Sequence, residues 1–379
     1  MSGPDLAELA ESLRAESRAL GFGLFGVAPA VEPTGYGQLQ RWLEAGFAGE
    51  MNYFERRREA YAHPKHVLDG VRSLVLLGLD YNTGFAGRSA SGYGRVSRYA
   101  WGSVDYHNLI WEKLDQLQRW LEVKVPGVVA RGVVDTAPLL EREFAQLAGL
   151  GWRGKNTLLI NPQRGSYFFL AALLTDLSLP LDAPFTPDHC GTCRRCLDAC
   201  PTGAFPEPYV LDATRCISYL TIELRSAIPD QLRAGVGDWL FGCDVCQEVC
   251  PWNRFTQLAD EPDFLPRQEA GLEELVELLG LSEPEFRARF RQTPLWRPRR
   301  RGLLRNAAIV LGNQRYEPAI GALCQALRDE EELVRGAAAW ALGQIGGEQA
   351  REALRGQLSV ETATYPGIEL RNALEAIAS

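Results

Sequence analysis

The chain has 379 residues, an ordinary soluble composition and a formal net charge of −8, so it is long enough for two or three domains with substantial cores. The acidic balance argues against a general nucleic-acid binder. Acidic residues at Asp5, Glu8 and Glu11 lie where a signal peptide would be positive, and no apolar run is long enough to span a bilayer. A cytoplasmic protein without a membrane partner is therefore expected.

The first 182 residues alternate between helix-like and strand-like segments. Residues 5–19 have apolar side chains at helical spacing, and short apolar runs at residues 23–27, 73–79 and 128–134 are typical of buried strands. Asp105 opens a further helical pattern, and a glycine-rich loop covers residues 149–157. This alternation predicts a mixed α+β domain over residues 1–182.

Eight of the nine cysteines lie between residues 190 and 250. The first group has the spacing Cys-x2-Cys-x2-Cys-x3-Cys-Pro, the last has Cys-x2-Cys-x3-Cys-Pro, and Cys216 stands alone between them. This spacing is typical of two 4Fe-4S clusters in which the cysteine before proline ligates the other cluster, and it predicts a bacterial two-cluster ferredoxin-like domain over residues 183–260. The predicted ligands are Cys190, Cys193, Cys196 and Cys250 for one cluster, and Cys200, Cys216, Cys243 and Cys246 for the other.

Other arrangements of these cysteines stay open. Structural zinc usually takes two separated Cys-x2-Cys pairs, and disulfides require an oxidising compartment. An uncrossed cluster arrangement would exchange Cys200 and Cys250. The residues between Cys216 and Cys243 are predicted to loop out at the surface, around Pro229.

Residues 261–379 are predicted to be helical. Residues 303–312 (LLRNAAIVLG) resemble residues 334–343 (VRGAAAWALG), which favours stacked HEAT-like helix pairs over an ordinary helical bundle. Between Arg287 and Arg315 there are nine arginines and no acidic residue. These arginines are either solvated helix faces or a phosphate-binding surface, because the guanidinium fork can donate two bonds to phosphate oxygens.

Two neighbouring clusters beside a larger domain predict a reductase or an electron carrier. The chain has no strand-GxGxxG-helix fingerprint, so direct use of NAD is not indicated. The sequence Asp105-x-His107-x-x-Ile110 approaches a motif that supplies histidine to cobalt, but it lacks the glycine of that motif. His107 is therefore interpreted as a structural histidine.

Six motifs together resemble the epoxyqueuosine reductase family, and the resemblance extends over nearly the whole chain. The motifs are YAWGSVDYH at residues 99–107, VDTAPLLER at 134–142, GWRGKNT at 151–157, GSYFFL at 165–170, CISYLT at 216–221 and GCDVCQ at 242–247. The resemblance implies a nitroreductase-like domain that binds base-off cobalamin without a protein histidine. It also implies reduction of epoxyqueuosine to queuosine at the wobble position of tRNA. An external low-potential electron donor and a monomeric state are expected.

The resemblance also implies roles for particular residues. Asp135 is the expected general acid, and the alternative is a helix cap before Pro138. The expected cofactor contacts are Asp135, Arg56, Arg58, Arg98, Lys155, Asn156, Thr157, Ser218 and Thr221. The tRNA contacts are predicted from the arginine-rich segment and not from the resemblance; they are Arg297, Arg299, Arg300, Arg301 and Arg305.

Two other functions are compatible with the same residues. A cobalamin-dependent reductase of a small molecule, of the reductive dehalogenase kind, would use the first 260 residues but leave the arginine-rich end without a role. A non-catalytic iron-sulfur electron carrier or RNA-binding scaffold would need neither a corrin nor a buried acid.

Overall fold

The computed structural model describes residues 5–84, 90–266 and 271–378. Its strands are β1 (Leu24–Pro29), β2 (Ser73–Asp80), β3 (Tyr93–Val96), β4 (Ala130–Val134), β5 (Trp152–Arg153), β6 (Leu159–Ile160), β7 (Phe168–Thr175), β8 (Trp239–Phe241) and β9 (Leu272–Glu274). Its helices are α1 (Leu6–Ala19), α2 (Tyr36–Glu44), α3 (Tyr53–Arg56), α4 (Tyr106–Lys124), α5 (Glu141–Leu147), α6 (Arg195–Asp198), α7 (Ile217–Ile222), α8 (Asp230–Val236), α9 (Val245–Glu248), α10 (Leu275–Leu279), α11 (Glu283–Phe290), α12 (Arg299–Gln314), α13 (Ile320–Ala326), α14 (Glu332–Ile345), α15 (Glu348–Leu358) and α16 (Thr364–Ala378). None of the helices in the described ranges has the length and apolar character needed to cross a bilayer.

The amino-terminal region is built on an antiparallel sheet with the strand order β1-β2-β7-β4. Alternate residues of β2 point to opposite faces, so Val75 and Leu77 pack with α1 and α4, while Leu74 and Leu76 pack with α5. A strand that is covered on both faces consists of consecutive apolar residues. For this reason the apolar run of β2 predicted a buried strand. The mixed α+β architecture predicted for this region is confirmed.

A second sheet connects the three regions predicted from the sequence. Its order is β8-β3-β9, with β3 parallel to β8 and antiparallel to β9. Strand β3 comes from the amino-terminal region, β8 from the cysteine region and β9 from the start of the carboxyl-terminal region. The domain boundaries at residues 182 and 260 stay a prediction. Main-chain hydrogen bonds between β3 and its neighbours β8 and β9 join the three regions.

The carboxyl-terminal region consists of stacked helices, in which α14 packs against both α12 and α16. The glycine that closes each copy of the sequence repeat lies where two helices approach closely. A Cβ atom on Gly312 would lie 2.5 Å from the Trp340 ring, and one on Gly343 would lie 2.8 Å from Ala373. The small residues of the repeat are therefore required by helix packing.

One local prediction was wrong, and one alternative that the sequence left open is excluded. The segment between Cys216 and Cys243 does not loop out, because it forms α7, α8 and β8 and buries Leu232 and Val236 in the largest hydrophobic core. Asp135 does not cap a helix, because the next helix, α5, begins at Glu141 with Leu140 as its N-cap residue.

Candidate active site

The side chain of Asp135 is the centre of a hydrogen-bonded network at the end of β4. His107 Nε2 lies 2.7 Å from Asp135 Oδ1, and the other ring nitrogen, Nδ1, lies 2.6 Å from Asp105 Oδ1. The Tyr106 hydroxyl donates to Asp135 Oδ2 at 2.5 Å. Asp105 also caps α4 by accepting from the His107 amide, which places Tyr106 and His107 in the first turn facing the end of β4.

The network changes the protonation of its members. Burial alone would raise the pKa of Asp135, but hydrogen bonds from His107 and Tyr106 and the charge of Arg297 together hold it below its usual range. Burial alone would lower the pKa of His107, but its bonds to Asp105 and Asp135 raise it to about 9. At neutral pH, His107 is therefore the group that holds the proton and Asp135 is ionised.

Aromatic side chains form one wall beside this network. The Tyr106 ring stacks on Phe169 with centroids 4.1 Å apart, and Tyr99 meets the edge of Tyr106 at 5.8 Å. Burial, followed by nearby carboxylates that include Asp135, raises the pKa of both tyrosines, so both stay neutral. The Asp135 side chain is 44 % exposed, so a substrate can reach it from solvent.

A second carboxyl group lies near Asp135. Glu141 Oε1 is buried and has no hydrogen-bond partner among the described residues. Burial, with a smaller contribution from the charge of Asp135, raises the pKa of Glu141 to about 8. Tyr106 and Glu141 both lie inside motifs that carry the family resemblance, but their spacing in the sequence does not indicate a role for either.

The cysteines fall into two spatial groups. Cys190, Cys193, Cys196 and Cys250 line one cavity of about 40 Å³, and Cys200 is not among its lining residues. Trp152 Nε1 donates to Cys190 Sγ at 3.5 Å. In the other group, burial and then the charges of Cys216 and Cys200 raise the pKa of Cys243. Burial and then the charges of Cys243, Cys216 and, from the first group, Cys196 raise the pKa of Cys246. This grouping is the one expected for the crossed arrangement.

The geometry of these groups suits a cluster better than a single ion. Within the described ranges, no three His, Cys, Asp or Glu side chains are arranged to hold one metal ion. A zinc site draws four ligands to about 2.3 Å from one centre, whereas the first cysteine group surrounds a cavity. The cysteine residues therefore fit 4Fe-4S clusters.

Two of the predicted cofactor contacts, Lys155 and Asn156, support the cysteine segment, and the neighbouring Thr157 contacts α5. Lys155 Nζ donates to the carbonyls of Gly191 and Cys193 at 2.5 and 3.0 Å. Asn156 Nδ2 donates to the Cys246 carbonyl at 3.4 Å, and both side chains line the first cysteine cavity. Thr157 adopts a left-handed φ of 66°, and its carbonyl accepts a bond from Arg142.

Two more of the predicted contacts are buried in the protein. Arg98 is ion-paired with Asp244 and Glu248, each at 3.0 Å, and so joins the amino-terminal region to α9. Thr221 is fully buried. Its hydroxyl donates to the Ile217 carbonyl and accepts from the Gly242 amide. The structure thus corrects the predictions for Arg98 and Thr221, whose polar groups already have protein partners.

The remaining predicted contacts lie near the surface. Ser218 is half-buried beside Cys216, a predicted cluster ligand, and Arg56 is exposed on α3. Arg58 pairs with Glu55 at 2.9 Å, and its Nε is buried without a partner among the described residues. Contacts of these three residues with a cofactor stay a prediction.

The arginines predicted to contact tRNA divide into exposed and buried residues. Arg297 is half-exposed and makes two hydrogen bonds with Glu223, Arg299 lies over the Trp296 ring at 4.4 Å, and Arg301 is exposed. Their charges, together with burial as the main cause, lower the pKa of Arg225, a neighbour that the sequence argument did not identify. Because the charge of Arg297 also acts on Asp135, this exposed surface adjoins the acid network.

Arg300 and Arg305 correct the tRNA prediction. Arg300 is buried and makes two hydrogen bonds with Asp329. Arg305 is fully buried and donates to the carbonyls of Leu220, Leu224 and Ser226. Neither guanidinium has a free surface for phosphate, because the donors that would bind RNA are used to hold α12 in place.

Three features together define an iron-sulfur oxidoreductase. They are the α+β domain with its carboxylate-histidine network, the two cysteine groups, and the helical repeat at the carboxyl end. Three family models match the chain: "4Fe-4S double cluster binding domain" at residues 189–253, "Epoxyqueuosine reductase QueG, DUF1730" at 62–136 and "HEAT repeats" at 300–375. The ferredoxin-like and HEAT-like parts of the predicted fold are thereby confirmed.

Curated relatives match nearly the whole chain. The epoxyqueuosine reductase of Pseudomonas aeruginosa is 44% identical over 352 residues, covering 91% of this chain and 97% of the relative. That of Escherichia coli K12 is 40% identical over 349 residues, covering 91% and 92%. The chain belongs to the epoxyqueuosine reductase family and is an oxidoreductase.

Solved structures agree with this assignment. An epoxyqueuosine reductase bound to an epoxyqueuosine-modified tRNA-Tyr stem loop superimposes with a TM-score of 0.93 at 32% identity, covering 99% of this chain and 100% of that chain. A second structure, from Bacillus subtilis, has its catalytic aspartate loop swung out of the active site; it matches with a TM-score of 0.91 at 32% identity, covering 98% and 100%.

Proposed function

We propose that the chain reduces epoxyqueuosine to queuosine at the wobble position of tRNA, with Asp135 as the general acid. The observation that supports this role most directly is the exposed Asp135 carboxylate. Its Oδ1 lies 2.7 Å from Nε2 of His107, which stays protonated at neutral pH. Removal of the epoxide oxygen as water, leaving an alkene, consumes two electrons and two protons. The oxygen leaves readily only if it is protonated, so a positioned acid is required.

The residues present fit a base-off corrin. Base-off cobalamin without a protein ligand needs no histidine at cobalt, and both ring nitrogens of His107 are occupied by carboxylates. The aromatic wall of Tyr99, Tyr106 and Phe169 provides a flat surface beside Asp135. When bound, cobalamin supplies a strong nucleophile and reductant, and the two clusters supply its electrons one at a time.

The proton would pass from His107 through Asp135 to the departing oxygen. His107 holds a proton between Asp105 and Asp135 and passes it to Asp135 Oδ1 as the substrate approaches and water is excluded. Asp135 then protonates the departing oxygen. The Tyr106 hydroxyl fixes the orientation of the carboxyl group through Oδ2, and Asp105 stabilises the charged His107 ring.

The cluster ligands are proposed in the crossed arrangement. Cys190, Cys193, Cys196 and Cys250 share a cavity, which supports assigning them to one cluster, and Cys200, Cys216, Cys243 and Cys246 would hold the other. A cytoplasmic location, a monomeric state and an external low-potential electron donor remain predictions.

The tRNA backbone is proposed to lie along the exposed arginines beside Asp135. Arg297, Arg299 and Arg301 keep this role, and Arg225 joins them. A relative with nearly the same fold binds a modified tRNA stem loop, which supports tRNA as the ligand of this surface.

A turnover assay tests the proposal. Anaerobically purified protein, loaded with cobalamin and supplied with a low-potential reductant, is incubated with tRNA that carries epoxyqueuosine, and the nucleosides are analysed by mass spectrometry. We expect queuosine to appear with wild-type protein and to need added cobalamin. If the loaded wild-type protein leaves epoxyqueuosine intact, the proposed function is wrong.

A further inference from the structure

A second cavity, of about 400 Å³, lies beside the loop that follows Asp135. One wall is formed by residues 136–138 of that loop and residues 131–133 of β4. The other lining residues are Arg57, His66, Val67 and Trp111. This volume lies within the range of about 300–1,000 Å³ that is usual for ligand pockets.

The cavity has a positive lining. Arg57 Nη1 donates to the Thr136 carbonyl at 2.7 Å, and Arg131 Nη1 donates to the Val67 carbonyl at 2.8 Å. Each guanidinium has further donors, and neither forms an ion pair within residues 5–84, 90–266 and 271–378. No carboxylate is among the lining residues. Two uncompensated guanidinium groups that face a cavity favour an anionic ligand, and phosphate matches their fork geometry.

Trp111 adds a second kind of recognition to the same cavity. Its side chain is 45 % exposed, which is unusual for so large an aromatic residue, and it lies one helical turn after His107 on α4. The rings of Trp111 and His107 are 5.7 Å apart between centroids. An exposed indole provides a face on which a nucleobase can stack.

The cavity and the acid network are built from the same two elements. Helix α4 carries His107 and Trp111, and the turn after β4 carries Asp135 and the loop residues 136–138. A ligand held between Trp111 and this loop therefore lies next to the acid. Aromatic stacking and phosphate binding so close to the reacting group suit part of the substrate itself.

We propose that this cavity binds an unpaired nucleotide of the RNA substrate, adjacent in sequence to the nucleotide that carries the epoxide. Its base stacks on Trp111, and its phosphate is bound by Arg57 and Arg131. This assignment rests on the proposed function and adds a specificity site to it. Binding there holds the loop of residues 136–138 and so positions Asp135 at the substrate.

The test combines protein variants with altered RNA. The probes are an anticodon stem loop that carries epoxyqueuosine and two copies of it in which the nucleotide on the 5′ or 3′ side of the modification is abasic. Dissociation constants and kcat/KM are measured for wild type, Trp111→Ala, Trp111→Phe and Arg131→Gln. Val123→Ala and Arg119→Gln, both at exposed positions of α4, are the matched controls.

We expect Trp111→Ala to weaken binding of the intact stem loop by roughly 5- to 150-fold, the effect of one lost stacking contact. One of the two abasic RNAs should lose a similar amount with wild type and little more with Trp111→Ala, because both changes remove the same contact. Trp111→Phe should recover much of the affinity. Arg131→Gln should reduce the salt slope of binding by about one unit, and the controls should behave as wild type.

Two results would overturn the proposal. The first is that the losses from Trp111→Ala and from each abasic site simply add. The second is that Trp111→Ala and Arg131→Gln weaken cobalamin binding, seen in the visible spectrum, without changing RNA affinity; the cavity would then bind the nucleotide of the corrinoid. Conversion of the intact stem loop by wild-type protein is recorded in the same assay, so failure of the proposed function is distinguished from failure of this site.

Discussion

His107 Nε2 lies 2.7 Å from Asp135 Oδ1, and this contact joins the first turn of α4 to the end of β4. Because His107 also contacts Asp105, the imidazole is held between two carboxylates and its pKa rises to about 9. Asp135 consequently has a lowered pKa, although partial desolvation of its half-exposed carboxylate opposes this shift. In the proposed mechanism the two residues act together, because His107 stores the proton and Asp135 delivers it.

Replacement of Asp135 by Asn should remove the delivering group without changing its size. We expect turnover to fall by roughly two to four orders of magnitude, while cobalamin and tRNA bind as in wild type. Single-turnover formation of queuosine, measured with saturating tRNA, isolates the chemical step. Near-normal single-turnover rates for Asp135→Asn would show that another group protonates the oxygen.

The His107 pair predicts a pH dependence at the alkaline end. The pKa of His107 is raised, so its protonated form persists through neutral pH, and turnover should decline as the pH passes about 9. His107→Gln should lower turnover by at least roughly tenfold and remove this decline. Tyr106→Phe is the matched variant, because it keeps His107 and should keep the decline. A wild-type profile that stays flat beyond pH 10 would contradict storage of the proton on His107.

The exposed arginines should determine the salt dependence of tRNA binding. Changing Arg297, Arg299 and Arg301 together to Gln should reduce the slope of log affinity against log salt by up to about 2.7 units, since each lost phosphate contact contributes about 0.7–0.9. Arg119→Gln, an exposed arginine on α4, is the control. An unchanged slope in the triple variant would place the RNA backbone elsewhere.

The crossed cluster arrangement can be tested with pairs of cysteine variants. If Cys190 and Cys250 serve the same cluster, changing both to Ser should remove one cluster and leave about four of the eight iron atoms. Changing Cys190 and Cys200 to Ser should disturb both clusters. Iron content and electron paramagnetic resonance of the reduced proteins measure this difference. The opposite pattern would establish the uncrossed arrangement.

A buried ion pair joins the cysteine region to the last helix. Arg233 on α8 makes two hydrogen bonds with Glu369 on α16, at 2.9 and 2.5 Å, and both residues are buried. Arg233→Met leaves a buried carboxylate without its partner and should cost about 3–5 kcal/mol of unfolding free energy. Denaturant unfolding of the cluster-loaded protein checks this, and the double variant Arg233→Met with Glu369→Leu should recover most of the loss.

Features encoded by local spacing were visible in the sequence. The cysteine intervals predicted two clusters, and the apolar run of β2 predicted a buried strand, because a ligand set or a strand is defined by neighbours along the chain. Asp105 was likewise recognised as the start of α4. The motif containing Asp135 was identified, but its partners and its pKa were not.

What only the tertiary structure decided depends on groups that are distant in sequence. The protonation of Asp135 follows from His107 and Tyr106, which lie 28 and 29 residues away. The arginine-rich segment looked uniform in sequence, yet Arg305 bonds to carbonyls about 80 residues earlier and is lost to RNA binding. Whether a charge is buried, paired or free is determined by which segments meet in the folded chain, and local spacing does not carry that information.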